Sequence, residues 1–140
     1  MYTHETQIRV RYAETDQMAY VYYGNYAMYY EVARVEALRA LGQSYKVMED
    51  EGVMLPVLEY YTKYIRPARY DDLLTIKLSI RTLPGVRITF HYEIFNEEGT
   101  LLNLGETTLV FVNKVTQKPC PPPPAMLEAL QPFFSNPEKT

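Results

Sequence analysis

Asp16 stands in the run Arg11-Tyr12-Ala13-Glu14-Thr15-Asp16-Gln17-Met18-Ala19-Tyr20-Val21-Tyr22-Tyr23-Gly24-Asn25-Tyr26, just ahead of the one long helical pattern in the chain. A carboxylate there lies beside the positive end of a helix dipole, where backbone N–H groups can hold a developing oxyanion. An acid that attacks or activates water, next to donors for the charge on a carbonyl oxygen, is the equipment of acyl-transfer chemistry. Glu14 is the competing carboxylate, expected to face solvent or a salt bridge. By itself Thr15-Asp16 also reads as a turn or a cap ahead of the helix.

The remaining chemistry-bearing residues say less. His4 and His91 have no partner at metal-ligand spacing and are expected to be structural, so no metal site is expected. Cys120 is the only cysteine; it lies in Lys118-Pro119-Cys120-Pro121 and reads as an incidental surface or tail thiol. Tyr12, Tyr22, Tyr23 and Tyr26 invite an aromatic pocket, but the chain has 14 tyrosines, so core packing is the expected role for any one of them. There is no Gly-rich phosphate loop.

Composition bounds the setting. At 140 residues with 47% hydrophobic and 22% charged side chains, the chain is expected to form one globular domain over residues 1–140. Its core should span about 5–118, with a proline-rich connector and a short C-terminal helix in 119–140. A net charge of -3 argues against a nucleic-acid partner. No stretch is long enough to span a bilayer and no leader pattern precedes the domain, so a cytoplasmic location is expected.

The positioning elements follow from periodicity. Residues 6–12 alternate as a first strand, with Ile8, Val10 and Tyr12 on one face. From Asn25, residues Tyr26, Tyr29, Tyr30, Ala33, Ala37, Ala40 and Leu41 recur at helical spacing, with Glu31, Arg34 and Arg39 on the other side and Gly42 as the stop. Residues 44–51 read as a second, short helix capped by Ser44 and ended by Gly52. Strands are expected at 53–66, 73–83, 86–95 and 100–115, separated by 67–72, Pro84-Gly85 and 96–99. Such short connections imply antiparallel neighbours. The sum is an α+β fold, a five-stranded antiparallel sheet wrapped around one long helix, followed by an extended proline segment and a helix near 125–130.

Three segments then resemble the hotdog-fold acyl-CoA thioesterases, in particular the 4-hydroxybenzoyl-CoA thioesterase and YbgC-like family. They are the Asp16 motif with Val21-Tyr22-Tyr23-Gly24-Asn25-Tyr26, the helix segment Tyr30-Glu31-Val32-Ala33-Arg34, and Tyr64-Ile65-Arg66-Pro67-Ala68-Arg69-Tyr70-Asp71-Asp72-Leu73. The resemblance implies hydrolysis of an acyl-CoA thioester without a cofactor, with Asp16 as nucleophile or general base and the Tyr23 backbone amide as oxyanion donor. Many YbgC-like members have His where this chain has Tyr23, and Gly where it has Ala19; a main-chain donor survives the first change. Glu31 and Glu36 resemble the helix acid of another hotdog branch, but surface or interface pairing is the preferred reading of both. Lys63, Arg66, Arg69, Arg81, Arg87, Lys114 and Lys118 are expected to be mostly solvated charges, with contacts to coenzyme A phosphates among them.

The resemblance also implies a homodimer or homotetramer with active sites at the subunit interface, and acyl carrier protein as a second candidate partner. The alternative function is a non-catalytic module that binds acyl-CoA or acyl carrier protein. A hotdog dehydratase would want a histidine placed with its acid, and none is seen here.

Overall fold

A computed structural model describes residues 1–135 of the chain. Five strands form one antiparallel sheet: β1 (Tyr2–Arg9), β3 (Val57–Tyr64), β4 (Leu73–Ile80), β5 (Arg87–Phe95) and β6 (Leu101–Val110). Their spatial order is β1-β4-β5-β6-β3, so β1 and β3 are the two edges. The short strands β2 (Val53–Met54) and β7 (Val112–Asn113) pair with each other in a separate ribbon. The long helix α1 (Tyr26–Ala40) packs on the sheet, followed by α2 (Tyr45–Asp50) and, near the C-terminus, α3 (Pro124–Leu130). The α+β class and the helix-on-sheet arrangement are as expected.

Helix α1 buries Tyr26, Tyr29, Tyr30, Ala33, Arg34, Ala37 and Leu38, at the three- and four-residue steps that put side chains on one face. Ala33 and Ala37 let its backbone come close enough for the Tyr2 hydroxyl on β1 to donate to the Ala37 carbonyl at 2.8 Å. Tyr30 reaches across β6, where a Cβ on Gly105 would lie 2.2 Å from the Tyr30 ring. The missing side chain at Gly105 is therefore what lets Tyr30 stack on Tyr92, with centroids 4.3 Å apart and planes 11° from parallel. Its hydroxyl donates to Asn103 Oδ1 and also meets Thr62.

Arg34 departs from expectation. Placed on the polar side by spacing, it is only 6% exposed. Its Nε donates to the Tyr45 hydroxyl at 2.9 Å and its Nη1 to the Tyr92 hydroxyl at 3.3 Å. A buried cation needs oxygen partners, and tyrosine hydroxyls on α2 and β5 supply them without a carboxylate. Burial pushes the Tyr92 hydroxyl up to about 12.

Several boundaries move. The first strand begins at Tyr2 and ends at Arg9, overlapping the expected 6–12 over residues 6–9; Tyr12 instead opens a 3-10 turn at Tyr12–Glu14 and is exposed. Val10 N still bonds in register to Asp72 O at 2.9 Å, but the Val10 carbonyl accepts from Asp71 N at 3.0 Å, one residue out of register, and the ladder ends there. The expected strand 53–66 is split at Leu55-Pro56 into β2 and β3, and 100–115 into β6 and β7. Strands β4 and β5 are shorter at their shared turn than 73–83 and 86–95 implied. Ser44 caps α2 as expected, its Oγ accepting from Val47 N, and Gly42 and Gly52 take φ of 76° and 84°.

The connection 67–72 was expected to join antiparallel neighbours, yet β3 and β4 are not adjacent. Its backbone groups are spent elsewhere: Ala68 O accepts from Val21 N, Tyr70 N donates to Ala19 O, and Asp71 N donates to Val10 O. It is a crossing segment laced to residues 10–21. Cys120, expected at the surface, is half-buried against the core, its N–H bonded to Phe111 O. The C-terminal helix begins at Pro124, and the part of the expected tail in 136–140 lies outside the described residues.

Candidate active site

The segment between β1 and α1 folds by answering its own polar groups. Glu14 is 5% exposed. Its Oε1 accepts from Arg11 N at 3.0 Å and from the Tyr29 hydroxyl at 2.8 Å, and its Oε2 from Arg11 Nε at 2.8 Å. Its carbonyl accepts from Tyr22 N and Asn25 Nδ2, both at 2.9 Å. Of the two roles expected of Glu14, the structure gives the salt bridge, and it is a fastener between loop and helix rather than a solvent-facing acid. Burial opposes its charge, but the bonds from Arg11 and Tyr29 prevail and hold its carboxyl below the usual range.

A folded value below the unfolded one means that this charge stabilises the protein above about pH 4.5 and that the contribution is lost as pH falls through the folded value. Glu14→Gln is therefore expected to cost about 1–3 kcal/mol at neutral pH. Thermal melts from pH 7 to pH 3 should show wild type and variant converging at the acid end; a constant difference would contradict this role.

Thr15 and Val21 then pair as an isolated bridge around a tight turn. Within it Asp16 N donates to Tyr20 O at 2.7 Å, and Asp16 Oδ1 accepts from Met18 N at 2.8 Å and Tyr20 N at 3.3 Å. Among the described residues nothing donates to Asp16 Oδ2. The turn puts Ala19 at φ 63°, a left-handed conformation that glycine adopts more easily. The Arg69 guanidinium lies over the Tyr20 ring at 4.9 Å, closing the turn from the crossing segment.

After Val21 the chain is extended at Tyr22, with φ -60° and ψ 133°, and enters a 3-10 turn at Tyr23–Asn25 that runs into α1. The first amides of a helical run have no partner within it. Among the described residues the N–H groups of Tyr23 and Gly24 have no assigned acceptor. The Tyr64 hydroxyl, at the end of β3, donates to Tyr23 O at 3.0 Å.

Asp16, Tyr20, Tyr23, Tyr26, Tyr64 and Arg66 line one open cleft of about 270 Å³. The two residues singled out from sequence, Asp16 and Tyr23, are thus brought together. Tyr26 is buried as expected, whereas Tyr12, Tyr22 and Tyr23 are exposed, Tyr23 at 63%. Tyr12 packs edge-on against Tyr70. Tyr20 and Tyr64 were not singled out, because a cleft across a sheet end leaves no periodic trace. Glu36 pairs with Arg39 and Glu31 is exposed, in keeping with surface roles. His4 meets Thr6 Oγ1 at 3.4 Å, and His91 Nδ1 lies 3.6 Å from Glu106 Oε1. A larger hollow of about 510 Å³ lies among Thr3, Lys77, Ser79, Arg81 and His91, where Lys77 is paired with Glu5 across β1 and β4. Among the described residues no His, Cys, Asp or Glu grouping could hold a metal, and no helix is long and apolar enough to cross a membrane.

A thioesterase-like superfamily model matches residues 10–130. This chain belongs to that family. It is 38% identical over 112 residues to the acyl-CoA thioester hydrolase YbgC of Escherichia coli O6:H1, covering 80% of this chain and 84% of that one. Among solved structures, it resembles a DHNA-CoA thioesterase from Staphylococcus aureus at 36% identity and a TM-score of 0.82, over 96% of this chain and 85% of the other. A hypothetical protein from Aquifex aeolicus matches at 32% identity and a TM-score of 0.84, over 91% and 98%. The hotdog fold, the family resemblance and the class of thioester hydrolase read from the sequence are borne out.

Proposed function

We propose that the protein hydrolyses an acyl-CoA thioester to a free acid and coenzyme A, as a cytoplasmic homodimer or homotetramer, with Asp16 and the Tyr23 amide at the reacting carbonyl. The observation that carries this reading is the shared cleft: among the described residues, a carboxylate with one oxygen free of donors and a helix-start N–H without an acceptor. The Tyr23 N–H would take the charge that accumulates on the thioester oxygen. Asp16 Oδ2 would act either by direct attack, expelling the thiolate and giving a mixed anhydride that water then cleaves to the free acid and the restored carboxylate, or by taking a proton from the attacking water. Thiolate leaves readily, so neither route needs a strong general acid. Arg66 supplies positive charge at the cleft for the phosphates of coenzyme A.

The cleft is open on one side, and the adjacent strand β3 is an edge exposed along nearly its whole length, including Tyr61 at 59% and Tyr64 at 48%. An unpaired edge carrying apolar and aromatic side chains favours pairing with a second copy. That copy would complete the wall for the acyl and pantetheine groups.

Free-thiol release from a panel of acyl-CoA and acyl-carrier-protein thioesters tests the reaction, and binding without turnover would favour the non-catalytic alternative. Across a dilution series, specific activity should fall in step with the assembled fraction measured by light scattering or sedimentation. A fully active monomer would place the whole site within one chain and remove the interface from the reading.

A further inference from the structure

Resting on the hydrolytic reading above, we propose that Tyr64 is a positioning residue, whose hydroxyl holds the Tyr23 carbonyl and so aims the Tyr23 amide into the cleft. The peptide unit that carries the Tyr23 N–H is bracketed. On its upstream side Val21 N is bonded to Ala68 O at 2.8 Å and Tyr22 N to Glu14 O at 2.9 Å. The carbonyl of that same peptide unit, Tyr22 O, accepts from Asn25 N at 2.9 Å, and on its downstream side Tyr64 holds the next carbonyl, Tyr23 O, at 3.0 Å from the end of β3. With its own carbonyl and the units on either side tied, rotation about the backbone of residue 23 is restricted, while among the described residues its N–H has no acceptor. A donor held in place before the reaction costs no reorganisation when charge develops.

The tether comes from outside the helix. It supplements the helical bonding of the first carbonyl and joins the helix start to an edge strand. The Tyr64 ring, although 48% exposed, rests edge-on against the buried Tyr26 with centroids 5.3 Å apart, a contact that orients its hydroxyl. Tyr64→Phe keeps that ring contact and removes only the donor.

Loss of one hydrogen bond of this kind corresponds to a fall in kcat of about five- to tenfold, and KM should stay within about twofold. In a Tyr23→Pro background, which lacks the amide being aimed, Tyr64→Phe should have almost no further effect on kcat. The backbone ¹H and ¹⁵N shifts of Gly24, whose peptide contains the Tyr23 carbonyl, should move in Tyr64→Phe, a signature that does not depend on turnover. Unchanged kcat in Tyr64→Phe, an effect on KM alone, or full additivity with Tyr23→Pro would overturn the proposal. Asp16→Asn separates the two levels: normal turnover there defeats the hydrolytic reading itself, whereas an inactive Asp16→Asn beside a normal Tyr64→Phe defeats only the role of Tyr64.

Discussion

Asp16→Asn is expected to lower thioester hydrolysis by about two to four orders of magnitude while leaving the melting temperature nearly unchanged. The two parts of this expectation come from different oxygens. Oδ1 accepts from Met18 N and Tyr20 N and so holds the turn, and an asparagine carbonyl can accept the same two bonds. Among the described residues nothing donates to Oδ2, and in the proposed reaction it is the atom left for attack or proton abstraction. In asparagine that position becomes an NH₂ group, a donor with neither charge nor nucleophilic oxygen. Steady-state kinetics with an acyl-CoA that the wild type turns over, beside a thermal melt, checks both halves. Near-normal turnover would move the chemistry to another acid, and Glu14 is poorly placed to take it, with both carboxylate oxygens engaged by Arg11 and Tyr29.

Tyr23→Pro should cost about 10²- to 10³-fold in kcat, the scale seen when one oxyanion donor is deleted. Proline is usually too disruptive for such a test, but this position suits it. Tyr22 already has the extended conformation that a residue before proline requires, and Tyr23 is the first residue of its helical turn, where proline is favoured and, among the described residues, the N–H is unpaired. The substitution therefore removes the amide while the turn can persist. Tyr23→Phe, which keeps the amide and the ring against Tyr22, should retain nearly full activity. Circular dichroism and a melt establish that the Pro variant is folded; equal activity of the Phe and Pro variants would rule out the oxyanion role of this amide.

The fold was legible where local chemistry speaks for itself. The Ser44 cap, the left-handed Gly42 and Gly52 and the apolar steps of α1 are all written within a few residues. Arg34 was misplaced because helical spacing reports which side of a helix a residue occupies, not whether a neighbouring element covers that side; Tyr45 and Tyr92 do so here. The connection 67–72 was misread because it has turn composition, yet its partners lie more than forty residues earlier in the chain. Asp16 and Tyr23 could be nominated as a pair because they lie in one continuous motif at the mouth of a helix, and they do line one cleft. Tyr64 could not, since only the crossing of β3 over the helix start brings its hydroxyl to Tyr23.

The ladder also bears on how the molecule comes into being. Strands β4, β5 and β6 follow one another through short turns, so their pairings close small loops at little entropic cost. The pairing of β1 with β4 joins Tyr2 to Ile80 and Arg9 to Leu73, and it must enclose both α1 and α2 before any bond is gained. At the other edge, the pairing of β3 with β6 likewise closes a loop that encloses β4 and β5. The cleft draws on residues next to each of these edges, Asp16 to Tyr26 after β1 and Tyr64 to Pro67 at the end of β3. Hydrolytic competence is thereby a property of the last pairings to close, and recovery of activity during refolding should trail the appearance of the central meander.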